Sequence, residues 1–160
     1  IGILSSIAIP QFMTAADKAK QKEATGIVAA LVKASTAYQT EYGALPTNAG
    51  ELEEYAKFQK CPTSAGNLVQ DGGKVCKTAI PVAVGASETS FTSPSGHYLV
   101  EFDGATGGRF RVKANPNGVP YVSNGAAVIG CYNPTTSASD VFEYTMKSSD
   151  KGAGKDYRDC

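Results

Sequence analysis

Tryptophan is absent from this 160-residue chain, and histidine occurs once, as His97. With one imidazole, Ser-His-Asp or Cys-His catalysis has a single place to be built, and it needs an activated nucleophile beside it. His97 follows Ser93-Pro94-Ser95-Gly96, a turn that leads into a strand, and reads as a surface residue at the strand's start. Net charge is also missing: 15 Lys+Arg balance 15 Asp+Glu, so no overall field draws the chain to nucleic acid or anionic lipid. No C-x-x-C pair exists among Cys61, Cys76, Cys131 and Cys160, which lie too far apart for the paired ligands of a zinc site. No D-x-D-x-D-G loop exists either, so calcium would have to be gathered by Asp140, Asp150, Asp156 and Asp159. Gly152-Ala153-Gly154-Lys155 is no phosphate loop: Asp156 follows the lysine where Ser or Thr is required, and Ser149 takes the first glycine's place. No catalytic residue, cofactor or metal is expected.

Other absences concern organisation. There is no Met start, no basic n-region and no small-residue cleavage site, so no signal peptide can be read. The opening apolar run is about ten residues, short of the roughly 18 to 20 that a spanning helix needs. No internal repeat and no domain boundary breaks residues 1–160, which are expected to form one domain. Asn133-Pro134-Thr135 is not a glycosylation acceptor, because proline follows the asparagine.

What is present suits an ordered, loop-rich protein: 42% apolar residues, 19% charged, 17 Gly and 8 Pro. Four widely spaced cysteines point to two disulfides and an oxidising compartment. Three connectivities are open to them, and sequential pairing closes the two shortest loops.

The first forty residues carry the strongest pattern. Ile1 to Pro10 reads IGILSSIAIP, without a charge. Ala16, Asp17, Lys18, Lys20, Gln21, Lys22 and Glu23 follow, polar nearly all round. Then Ala24, Ile27, Val28, Leu31, Ala34, Tyr38 and Tyr42 recur at the i, i+3, i+4 spacing of one helical face. A single helix of this length would reach about 60 Å, roughly twice the diameter of a small head. The pattern therefore predicts two parts: residues 1–23 reaching outward, and residues 24–160 forming a globular head on the rear of the helix. An all-round apolar front needs lipid or like helices as partners.

The stretch IGILSSIAIPQF resembles the second half of the N-terminal segment of type IV pilins and related pseudopilins. Gly2, Ile3, Leu4, Ile7, Ala8, Ile9, Pro10 and Phe12 carry the match. The resemblance implies a further apolar stretch before Ile1, with a methylated Phe and a Glu. It implies a filament-assembly role for Ile1, Gly2, Ile3, Leu4, Ile7, Ile9, Pro10 and Phe12. Residues Ile1 to Glu23 would pack in the filament core, and Gly2 and Pro10 would let the intervening turns bend or unwind. It also implies a disulfide closing a C-terminal segment, which agrees with Cys131–Cys160 and leaves Cys61–Cys76 to pin the middle loop.

Along the chain, the helix should stop at Gly43, with Pro46 preventing resumption. Thr47-Asn48 can cap a short helix over Glu51 to Phe58, with Leu52, Tyr55 and Phe58 as its packing edge. Cys61 to Pro94 reads as a loop, with Pro81 to Val84 a short edge strand. Tyr98, Val100 and Phe102 alternate with Leu99, Glu101 and Asp103, and Phe110 and Val112 alternate with Arg109, Arg111 and Lys113. Both read as strands with one buried face, joined by Gly104 to Gly108. Asn115 to Gly118 reads as a turn; Val119 to Val122, Ala126 to Tyr132 and Val141 to Met146 supply further strands. The expected class is α+β, one long helix on an antiparallel sheet, which the resemblance narrows to the pilin fold.

The resemblance implies a homopolymer with other pilin subunits, lodged in the inner membrane before assembly, built by a pilus assembly machinery and displayed outside the cell. Adhesion, twitching motility or DNA uptake would then be its work, with no enzyme activity. A pseudopilin of a type II secretion system and a minor, tip-located pilin share the N-terminal motif. Arg109, Arg111 and Lys113 line one strand face and could meet an acidic neighbour or a DNA backbone, with a solvated face as the plainer expectation. A secreted sugar-binding domain would need gathered aromatics, and Tyr98, Tyr121, Tyr132, Tyr144 and Tyr157 are scattered.

Overall fold

A single helix, α1, runs from Ile3 to Tyr42. The structure is a computed structural model that describes residues 3–62, 68–70, 74–117, 127–144 and 155–160, with 3–14, 16, 68–70, 74 and 75 described by their backbone alone. The backbone stays helical through Pro10. Gly43 ends the helix as anticipated: it takes φ +66°, the left-handed conformation that glycine adopts without steric cost, and its N–H donates to the Gln39 carbonyl at 2.9 Å.

The rear of α1 forms one side of the core. Ala24, Val28, Leu31, Val32 and Ala34 are buried, and each large aliphatic among them contributes about 1.5–3 kcal/mol on full burial. Val32 and the fully buried Ser35 widen the stripe beyond the expected face; Ser35 joins it by donating its hydroxyl to the Val32 carbonyl at 2.7 Å. At the other end the stripe fades. Ile27 and Tyr38 pack only at its rim, and Tyr42 is 54% exposed because it stacks on Tyr38, 4.7 Å away, instead of on the sheet.

After α1, Asn48 caps α2 (Ala49–Leu52), accepting from the Glu51 N–H at 3.0 Å. The helix expected over Glu51 to Phe58 is only Ala49–Leu52. Glu53 ends it: its buried carboxylate turns back to accept the Phe58 N–H at 2.8 Å, which folds the chain into a turn and carries Phe58 into the core. The expected loop from Cys61 to Pro94 is more structured than its composition suggests. β1 (Gln59–Lys60) pairs with β4 (Ile80–Pro81), β2 (Leu68–Gln70) pairs with β3 (Lys74–Cys76), and β5 (Ser90–Thr92) joins the main sheet. Backbone pairing and the Cys61–Cys76 bond, with Cα atoms 5.8 Å apart, hold this region.

The main sheet is an antiparallel meander in the order β5-β6-β7-β8-β9, with β6 at Tyr98–Asp103, β7 at Phe110–Pro116, β8 at Val128–Asn133 and β9 at Ala138–Glu143. Tyr98, Val100, Phe102, Phe110, Val112 and Ala114 face the helix, so the alternation in both strands holds. β7 continues through Asn115 and Pro116, where a turn was expected, because Pro116 still finds a place opposite Tyr98 at the strand's end. β9 begins three residues before Val141, since Ala138 pairs with Asn133 across a tight turn in which Ser137 takes φ +56°. Val119 to Val122 and the end of the expected last strand, Thr145 and Met146, lie outside the described residues. On β8, Gly130 lets the helix approach closely: a Cβ there would stand 2.6 Å from methyl groups of both Val28 and Val32. The architecture is thus α+β, one long helix on an antiparallel sheet with two disulfides.

Candidate functional site

Of the eight residues expected to assemble a filament, Ile3, Leu4, Ile7, Ile9, Pro10 and Phe12 lie on the first turns of α1, and Ile1 and Gly2 fall outside the described residues. At 100° per residue these six positions distribute around the whole helix axis, unlike the one-sided rear. The 40 residues of α1 extend about 60 Å, whereas the main sheet spans about 25 Å across five strands and about 23 Å along its longest. A sheet of that size covers less than half of the helix. No helix among the described residues is long and apolar enough to cross a membrane.

The sheet's other face carries the basic row, and the C-terminal segment 155–160 covers it. Asn115 exchanges two hydrogen bonds with the backbone of Lys155, at 2.9 and 3.1 Å. Lys113 lies 4.4 Å from the centre of the Tyr157 ring and 3.9 Å from Asp156. Asp159 then bridges Arg109 at 2.6 Å and Arg111 at 3.1 Å, and Cys160 reaches Cys131 with Cα atoms 5.6 Å apart. Partners on β7 descend from 115 to 109 as the segment runs from 155 to 160, so it lies antiparallel to β7 as a strap. The acidic neighbour considered for the row is the chain's own tail, helped by cross-strand acids: Asp103 pairs with Arg111, and Glu101 sits 3.5 Å from Lys113. Burial disfavours the Arg111 charge, but Asp103 and Asp159 outweigh it and hold the guanidinium more firmly charged than usual. Burial first, then the surrounding carboxylates, pushes the Tyr157 hydroxyl up to about 12. Ile129, on the outer face of β8, is 1% exposed. On β9, Arg158 lies over the Phe142 ring at 3.8 Å.

Both disulfides pair sequentially, Cys61 with Cys76 and Cys131 with Cys160, so no thiol remains free as a nucleophile. The aspartates considered for calcium are not gathered: Asp156 and Asp159 face β7 cations, while Asp140 accepts from the neighbouring Val141 N–H at 2.8 Å. Asp150 lies outside the described residues. Among the described residues no group of three or more His, Cys, Asp or Glu could hold a metal ion. An open groove of about 670 Å³ between α1 and β9 is lined by Val32, Lys33, Thr36, Asp140 and Val141, with no imidazole and only one carboxylate. It offers no acid–base pair.

His97 is not the surface residue its turn suggested. It is half-buried against α1, where burial first and Lys20 next hold its pKa below the ordinary value, opposed by Glu23 and Asp17. The polar segment before Ala24 likewise touches the head. Asp17 is buried, the Glu23 carboxylate accepts from the Ser95 N–H at 3.2 Å, and Lys22 pairs with Glu143 at 2.8 Å. A uniformly polar sequence conceals such contacts, because paired and solvated charges read alike.

No family model, no curated protein and no solved structure matches this chain.

Proposed function

We propose that this chain is the structural subunit of a type IV pilus, polymerising through the front of α1. The observation that carries the reading is the division of one 40-residue helix. From Ala24 on it is one-sided and docked in the head's core, and over Ile3 to Phe12 it is apolar at positions all round its axis. A helix of the second kind is stable only when lipid or like helices surround it. Helix-to-helix contacts that do not close on themselves propagate as a filament. The IGILSSIAIPQF resemblance names the kind of filament, and the two disulfides favour a pilin over a pseudopilin. The head would then coat the fibre, with the stapled C-terminal strap on the sheet face turned away from the helix. Adhesion, motility or DNA uptake would come from polymerisation and retraction driven by other proteins.

Electron microscopy of filaments sheared from the native cells, with mass spectrometry of their main protein, tests this. Thin fibres composed mostly of this chain are expected. Replacing both Ile7 and Ile9 with Asp should abolish them while the isolated head keeps its circular dichroism. Normal fibres from that variant would overturn the assembly role, and fibres lacking this chain would move the reading to a minor pilin or a pseudopilin.

A further inference from the structure

Two kinds of contact tie α1 to the head, and they occupy different stretches of the helix. From Val28 to Ala34 the interface is apolar. From Asp17 to Thr25, apart from the core residue Ala24, it is polar and titratable. The Glu23 carboxylate accepts from both the N–H and the hydroxyl of Ser95, in the turn before β6. Lys22 Nζ meets both oxygens of Glu143 at 2.8 and 3.1 Å, Thr25 Oγ1 donates to the same carboxylate at 2.7 Å, and Gln21 donates to the Tyr144 carbonyl at 3.3 Å. Asp17, Lys20 and Glu23 of α1 face His97. The His97 Nδ1 is buried without a hydrogen-bond partner among the described residues.

We propose that residues 17–25 form a polar clasp that releases in acid while the apolar rear of α1 stays docked, so that pH sets how much of the helix is tied to the head. A protonated His97 would carry a second N–H donor into a site where Nδ1 has no acceptor, and a charge beside Lys20; Asp17 and Glu23 only partly offset this. Its pKa is held below the ordinary 6.5. The neutral ring therefore stabilises the folded clasp fully above 6.5, and that contribution is lost as pH falls through the lower folded value. Hydrogen bonds from Lys22 and then Thr25 hold Glu143 below its ordinary 4.5, against burial. Its contribution is present above 4.5 and is lost at still lower pH. Both groups act in the same direction. Val28, Leu31, Val32 and Ala34 carry nothing that titrates, so acid leaves the rear alone. Releasing residues 17–25 would add about 13 Å to the untethered part of the helix.

Hydrogen exchange on the full chain, corrected for intrinsic rates, reads this directly. Between about pH 7.5 and about pH 5, protection over residues 17–25 should fall severalfold while residues 28–40 hold theirs. The His97 imidazole, followed by NMR, should titrate with the same midpoint. His97→Gln, permanently neutral, should remove the step, and Glu143→Gln should loosen 17–25 already at neutral pH. The proposal is overturned if protection over 17–25 ignores pH, if 28–40 falls with it, or if His97 titrates at a different midpoint from the loss.

Discussion

Replacing Gly130 with alanine is the sharpest test of how α1 sits on the sheet. The new Cβ would stand 2.6 Å from Val28 Cγ1, 2.6 Å from Val32 Cγ2 and 3.0 Å from Val112 Cγ1. All three neighbours are buried valines with stiff χ1 angles, so a rotamer change is costly even for Val32, which borders the open groove beside β9. Overpacking of this kind costs about 1–3 kcal/mol, from which about 0.5–1 kcal/mol is recovered by removing a glycine from a strand interior. The expected net loss is about 0.5–2 kcal/mol, or about 1–8 °C in Tm for a chain of this size. Gly26 supplies the contrast on α1 itself. Nothing lies within 4 Å of a Cβ built there, so Gly26→Ala should stabilise by about 0.5–1 kcal/mol through helix propensity alone. Urea unfolding followed by circular dichroism measures both in a chain without tryptophan. A neutral or stabilising Gly130→Ala would refute the close approach of α1 to β8.

The strap and the first turn after α2 give two further expectations. The Cys131→Ser/Cys160→Ser pair should lose about 3.6 kcal/mol of loop-closure stabilisation in the chain-entropy model, and faster proteolysis between Lys147 and Cys160 should accompany it; unchanged protease resistance would show that the strap holds without its bond. Glu53→Ala leaves the buried Phe58 N–H without its acceptor, and thermal unfolding should register a loss of about 1–3 kcal/mol.

The fold's outline was legible because it rests on apolar periodicity. The i, i+3, i+4 run from Ala24 onward and the alternation in β6 and β7 each declare a buried face without reference to anything distant. Errors cluster where a distant or local polar partner decides the outcome. α2 stops after Leu52 because the Glu53 carboxylate prefers the Phe58 N–H to a further helical turn. β9 starts early because register with β8 is set by the hairpin turn, whose positive φ at Ser137 no glycine announces. β5 was hidden for another reason: at three residues, paired with β6 and bridged to Cys61, it is too short to show alternation.

The outer face of the sheet and the clasp obey the same logic from the other side. Alternation placed Arg109, Arg111 and Lys113 on one face, and that placement is right. Nothing in periodicity says what a charged face meets, because a cation solvated by water, bound by a polyanion or paired within the chain has the same neighbours in sequence. Asp159 reaches Arg109 and Arg111 across 50 and 48 positions, and Glu143 reaches Lys22 across 121. The part that could have been read is the cross-strand pairing. A hairpin closed at Gly104 to Gly108 sets Asp103 opposite Arg109 and Glu101 opposite Arg111. The observed register is two residues longer at the turn, with Asp103 opposite Arg111 and Glu101 opposite Lys113, and either one places acids across from bases. Two acids opposite two bases already weaken the row as a DNA-backbone surface, and Asp156 and Asp159 of the strap neutralise it further. Any anionic partner of this face must first displace carboxylates that are held in place by a covalent bond.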